Sequence, residues 1–160
     1  MSVLTRTVVI PAPAAVVWAT LTDTARYGSW NPFITELSGE LRPGARLCAR
    51  IHPPGGRAMT FAPTVTRVEQ GRNLEWLGRL GVPWIFDGRH SFTLEALDPA
   101  RTRLVQAERF TGCLVPFTRA LLLRTAAGFE AMNQAIATEA TTRFLAFRSE
   151  DRDSEATSAT

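Results

Sequence analysis

The sequence predicts an α+β domain: a strongly curved antiparallel sheet, wrapped around one long C-terminal helix, with an apolar cavity between them. Three observations carry this. A β-branched strand and two short helical stretches open the chain, about six turn-punctuated strands follow Pro32, and a helical period takes over beyond Gly112. A sheet bent this far, with one face against a helix, leaves a cavity wherever the helix does not fill it.

The elements follow in order. Ser2 to Ile10 alternates and is rich in β-branched residues, which suits a strand. Pro11-Ala12-Pro13 ends it, and Pro13 fits the first turn of a helix. Val17, Trp18 and Leu21 then give one helical face, and Asp23 or Thr24 can cap a second short helix that closes before Trp30-Asn31-Pro32. Strands are expected over Phe33 to Ser38, Arg46 to His52, Met59 to Glu69 and Arg72 to Leu80. They are separated by Arg42-Pro43-Gly44, Pro53-Pro54-Gly55-Gly56 and the tight turn at Gln70-Gly71. Gly81-Val82-Pro83-Trp84 reads as a loop. Asp87 to Leu97 and Thr102 to Thr111 form a hairpin about Asp98-Pro99-Ala100-Arg101. From about Leu114 to Phe147, Phe117, Leu121, Gly128, Met132, Ile136, Ala140 and Phe144 recur at helical spacing, with Phe129 and Phe147 beside them. One straight helix of that length would reach roughly 50 Å, so a start at Pro116 or a bend near Gly128 is expected. The domain is assigned to residues 1–148, and the polar residues 149–160 are expected to be a disordered tail.

Composition narrows the function. With 45% hydrophobic and 21% charged residues the chain has the balance of a globular protein in water. All 18 basic residues are Arg, scattered from Arg6 to Arg152 without a basic run or aromatic interleaving, which argues against a nucleic-acid partner. The early apolar run is broken by Pro11 and Pro13, and no stretch nears the roughly 20 apolar residues of a membrane span. A cytoplasmic monomer or homodimer, with no stable membrane insertion, is expected. Cys48 and Cys113 have no CxxC partners and read as small buried apolar residues in a reducing compartment. No metal site is expected. Cys48 and His52 share a strand face but stand about 13 Å apart, four residues along a strand. There is no GxSxG elbow and no phosphate-binding glycine loop.

The last hairpin holds the most informative pair. If its turn is centred on Pro99-Ala100, Ala96 lies opposite Thr102, Leu94 opposite Leu104, Phe92 opposite Gln106 and His90 opposite Glu108. These positions share one face with Phe110, so His90 and Glu108 are cross-strand neighbours on an apolar wall. Burial disfavours both charges while pairing favours both, so the proton can be shared and the couple can titrate as a unit. The pair can serve as acid and base, or simply satisfy one another and fix the register. A slip of one residue would turn Glu108 to solvent. Trp76 faces the core or cavity, with Gly78 making room or relieving curvature. Trp30 reads as a plug where helices meet sheet, Tyr27 as a plug or a ligand contact, and Trp84 as a lid at the mouth. Phe117, Leu121, Phe129, Met132 and Asn133 are placed near the pocket from the helix side. With Phe92, Gln106 and Phe110 these complete the candidate ligand-binding set.

Taken together, IPAPAAVVWATLTDTARYGSWNPF at residues 10–33, GRHSFTLEAL at 88–97, ERFTG at 108–112 and the run from Gly128 to Asn133 resemble the START-like, or SRPBCC, superfamily. Within it the chain is similar to the polyketide cyclase/dehydrase family, up to about Phe147. The resemblance implies a helix-grip fold with a cavity between sheet and helix, and a general binder of apolar ligands. Three functions follow as expectations. The first is binding of a polyketide, lipid or quinone-like molecule. The second is a cyclase or dehydratase using His90 and Glu108 without metal or organic cofactor. The third is a protein-interaction domain whose cavity is residual.

Overall fold

The computed structural model describes the backbone of residues 1–79, 81 and 83–158. It describes their side chains as far as residue 150, that of Phe117 apart. Eight strands and three α-helices run in the order β1 (Ser2–Ile10), α1 (Ala14–Thr22), α2 (Tyr27–Trp30), β2 (Ile34–Ser38), β3 (Cys48–Ile51), β4 (Met59–Phe61), β5 (Thr64–Glu69), β6 (Asn73–Arg79), β7 (Asp87–Asp98), β8 (Arg101–Thr111) and α3 (Arg119–Ser158). The strands form a five-stranded sheet ordered β1-β8-β7-β6-β5 and a three-stranded sheet ordered β2-β3-β4. Between the sheets lies a thin seam. Arg46 bridges Thr64, and backbone bonds join Gly44 to Val65, Leu47 to Pro63 and Val65 to Ala45.

The long hairpin has the register expected of it. Ala96 pairs Thr102, Leu94 pairs Leu104, Phe92 pairs Gln106 and His90 pairs Glu108, with an irregularity only beside the turn, between Ala96 and Asp98. The turn is tied by Asp98, whose carboxylate accepts from the Ala100 amide at 2.9 Å and from Arg101 at 2.6 Å. Elsewhere a strand breaks where one was expected to continue. Met59 to Glu69 is two strands, because Pro63 has no N–H to give a ladder.

The helix α3 supplies the inner layer. Phe129, Met132, Ile136 and Ala140 are fully buried, the three-to-four spacing that faces one side of a helix. Burying each of the larger three contributes about 1.5–3 kcal/mol. Pro116 sits in a short 3-10 turn over Val115–Phe117, and the α-helix begins only at Arg119. It then runs through Gly128 as a single helix. Gly128 has a packing role: a Cβ there would run into the ring of Phe33. The helical backbone also continues to Ser158, through the segment expected to lack structure, since extending a formed helix needs no new nucleus. Phe147, expected beside the stripe, is 61% exposed.

Both cysteines are exposed, against expectation. Cys48 takes the outward phase of β3, whose next residue, Ala49, is the buried one. Cys113 lies in the loop leading to α3, held by its amide on the Trp84 carbonyl.

Candidate functional site

A row of paired residues crosses the large sheet: Val65, Trp76, His90, Glu108 and Leu4, contributed by β5, β6, β7, β8 and β1 in turn. One row further on, Gly78 pairs Gly88 and Gly88 pairs Phe110. Two glycines side by side leave the wall without side chains there. A Cβ at Gly88 would collide with the Glu108 carboxylate, so the bare backbone makes room for that group. The result is a cavity of about 150 Å³ between the sheets and the start of α3. Trp76, His90, Glu108 and Phe110 line it from the large sheet, Phe86 from the loop before β7, and Phe33, Ile34, Ala49 and Ile51 from the small sheet and the turn before it. Leu121 and Thr125 close it from α3.

His90 is enclosed by three aromatic rings, with centroids 5.1 Å from Trp76, 4.6 Å from Phe92 and 4.8 Å from Phe129. That burial pushes its pKa down to about 3, so the imidazole is neutral at physiological pH. Glu108, mostly buried with its side chain 16% exposed, is pushed up to about 8 by desolvation and carries its proton at neutral pH. The shared proton that the pairing allowed does not arise. Nδ1 of His90 and Oε2 of Glu108 are 3.9 Å apart, too far for a hydrogen bond, and both groups are neutral. On the other ring nitrogen, Nε2 lies 3.1 Å from Nε2 of Gln106, whose amide also reaches the Met132 sulfur at 3.5 Å. With the Gln106 amide as donor, His90 accepts at Nε2 and holds its proton on Nδ1, facing Glu108.

The candidate residues thus separate. Trp76, Phe110, Leu121, His90 and Glu108 stand on the cavity wall. Phe92, Gln106, Phe129, Met132 and Asn133 are buried but do not belong to its lining; Phe92, Gln106 and Phe129 contact His90, and Met132 contacts Gln106. Tyr27 is fully buried outside the cavity lining, with its hydroxyl donating to the Leu21 carbonyl at 2.7 Å, and burial raises its pKa. Trp30 packs edge-on against Tyr27 at 5.1 Å. Trp84 is 78% exposed and outside the lining. The side chain of Phe117 lies outside the described residues. Phe33 and Phe86 were missed. Each directly follows or precedes a turn or loop, where no alternation assigns a face. Among the described residues, no group of three or more His, Cys, Asp and Glu is placed to hold a metal ion. No helix among them is long and apolar enough to cross a membrane.

A curved antiparallel sheet that grips a long C-terminal helix over a lined cavity defines the START-like class of domains. Residues 1–144 match the family described as polyketide cyclase / dehydrase and lipid transport, and the chain belongs to that family. Among solved structures it is similar to the ZhuI aromatase/cyclase of Streptomyces sp. R1128, at 20% identity and a TM-score of 0.74, over 89% of this chain and 94% of that one. It is also similar to a START superfamily protein of Mycobacterium smegmatis, at 19% identity and a TM-score of 0.65, over 91% and 98% of the chains. A norcoclaurine synthase point mutant from Thalictrum shares the fold at 12% identity and a TM-score of 0.69, over 89% and 95%. No curated protein matches the sequence.

Proposed function

We propose that the protein binds an apolar small molecule carrying a ring and one oxygen acceptor, seated in the cavity with that oxygen at the Glu108 carboxyl group. One observation carries this: a protonated carboxyl group stands on a mainly apolar wall, on which His90, Thr125 and Arg79 are the other polar side chains. A buried acid in its neutral form is a hydrogen-bond donor, and it costs a carbonyl or hydroxyl oxygen little to meet it there. The rings of Trp76, Phe86 and Phe110 supply the apolar contact. A polyketide, a lipid or a quinone-like molecule meets this description at one end. The experiment is native mass spectrometry of the protein as purified and after incubation with a panel of ring-containing ketones and phenols. Binding by the wild type, weakened about tenfold in Glu108→Leu but within a few-fold in Glu108→Gln, is the expected result. No retention of any panel member, or equal binding by both variants, would overturn it.

A second reading is supported by the same carboxyl group, whose pKa near neutrality suits an acid–base catalyst. In this reading Glu108 gives its proton either to a substrate carbonyl, which becomes an enol, or to a hydroxyl, which leaves as water. The resulting carboxylate then takes a proton from the adjoining carbon, with no metal or organic cofactor. His90 is too weak a base to do this and stands beside Glu108 as a neutral imidazole. The resemblance to an aromatase/cyclase adds to this reading. Turnover of a poly-β-ketone panel, abolished by Glu108→Gln with binding kept, would establish it. Inert wild-type protein on that panel would refute it. A cavity that takes up no ligand at all would leave the interaction-domain reading, with a partner protein docked on the exposed face of α3.

A further inference from the structure

The cavity is smaller than the ligands such a fold is suited to hold. About 150 Å³ accommodates roughly one aromatic ring, whereas sites for larger organic ligands usually span about 300–1,000 Å³. A second space of about 230 Å³ lies nearby, bounded by Pro32, His52, Pro54, Gly55, Gly128 and Ala131 on its outer sides. Phe33 and Pro53 belong to the walls of both. The two spaces are therefore divided by a partition one side chain thick.

The partition has a fixed frame and a movable panel. The Phe33 backbone is pinned at both ends, its amide donating to Oδ1 of Asn31 at 3.0 Å and its carbonyl accepting from the His52 amide at 2.7 Å. Its ring is held only by packing. The ring sits over Gly128, where any side chain would collide with it, and edge-on to Phe129 at 5.7 Å between centroids. A ring with no polar atom loses no hydrogen bond when it turns about χ1.

We infer that the outer groove is a second subsite of the same ligand site, and that Phe33 determines how long a ligand the protein accepts. Single-ring ligands fill the inner cavity with the Phe33 ring in place. Two-ring or ring-plus-chain ligands reach into the groove when the ring is displaced or absent, their outer end meeting a surface of three prolines with His52 as its one ionisable side chain. This rests on the proposal that the cavity holds a ligand, but the partition itself is testable without it.

The ligand arm compares phenol with 4-phenylphenol by isothermal titration calorimetry in wild type, Phe33→Ala and Phe33→Val. The expected result is a rise of at least tenfold in the preference for 4-phenylphenol over phenol in both variants. An unchanged ratio in proteins that bind phenol would overturn the inference. The second arm uses xenon pressurised into crystals of wild type and Phe33→Val. Separate xenon sites in the wild type and one continuous chain of sites from cavity to groove in the variant are expected. Separate sites in both would overturn the partition. If the wild type binds neither phenol, the binding proposal falls and the xenon arm alone decides. The conservative Val variant keeps the test readable if Phe33→Ala does not fold.

Discussion

The two buried titratable groups set the pH profile of stability, and the profile can be worked out. Glu108 has an ordinary pKa of 4.5 when unfolded and about 8 in the folded protein. Between these values the native state holds a proton that the unfolded state has lost, so stability falls as pH rises. At roughly 1.4 kcal/mol per pH unit, the span amounts to about 5 kcal/mol, fully lost above pH about 8. His90 behaves oppositely, with an unfolded value of 6.5 and a folded value of about 3. Below 6.5 the unfolded chain binds a proton the native state refuses, so stability falls as pH drops, again by about 5 kcal/mol down to pH about 3. Between 4.5 and 6.5 the two slopes cancel. The expected profile is a plateau across that range with a decline on either side. Urea unfolding followed by tryptophan fluorescence, at pH 5.5 and at pH 9, measures it. Glu108→Gln should remove the alkaline decline and, with nothing left to cancel His90, start the acid decline at about pH 6.5 instead of 4.5. A variant whose loss between pH 5.5 and 9 equals that of the wild type would refute the assignment of a buried, protonated Glu108.

Three further outcomes follow from packing. Gly128→Ala forces the Phe33 ring aside and should cost about 1–3 kcal/mol in chemical denaturation, an overpacking penalty; a neutral result would mean the ring has free space elsewhere. Tyr27→Phe removes the bond to the Leu21 carbonyl and should cost about 1 kcal/mol while leaving ligand affinity unchanged, and a lost affinity would return Tyr27 to the site. Trp84 holds a positive φ of 73° while largely exposed, so Trp84→Gly should raise the midpoint of thermal unfolding by about 1 kcal/mol's worth, provided its ring packs on nothing; a drop would show that it does.

How far the sequence reached depended on whether a local signal fixed the phase. Asp98-Pro99-Ala100-Arg101 marks the hairpin turn, but its Asp98–Arg101 pair leads to His90 opposite Glu108 only through the irregularity between Ala96 and Asp98, which shifts the ladder by one residue. The long helix was legible because Phe129, Met132, Ile136 and Ala140 repeat over several turns. Cys48 was not, since a strand of four residues offers too short an alternation to say which face is inward. The site was half legible. Its large-sheet wall came from strand pairing, whereas Phe33 and Phe86 enter through tertiary contacts across the small sheet and loops. The protonation states escaped entirely, because they depend on three rings closing around His90, drawn from β6, β7 and α3.

The seam between the two sheets has a mechanical consequence. On one side, five strands share continuous ladders; on the other, three short strands do; and a handful of amide bonds around Gly44 to Leu47 and Pro63 to Val65 join them. Such a shell is stiff within each plate and compliant along the line where they meet. Amide exchange at Val65 and Leu47 should therefore outpace that in the middle of β7 and β8, as the shell breathes along its seam before either plate frays. The cavity lies between these plates, so its volume would be set by how far the shell is open at a given moment as much as by the side chains within it.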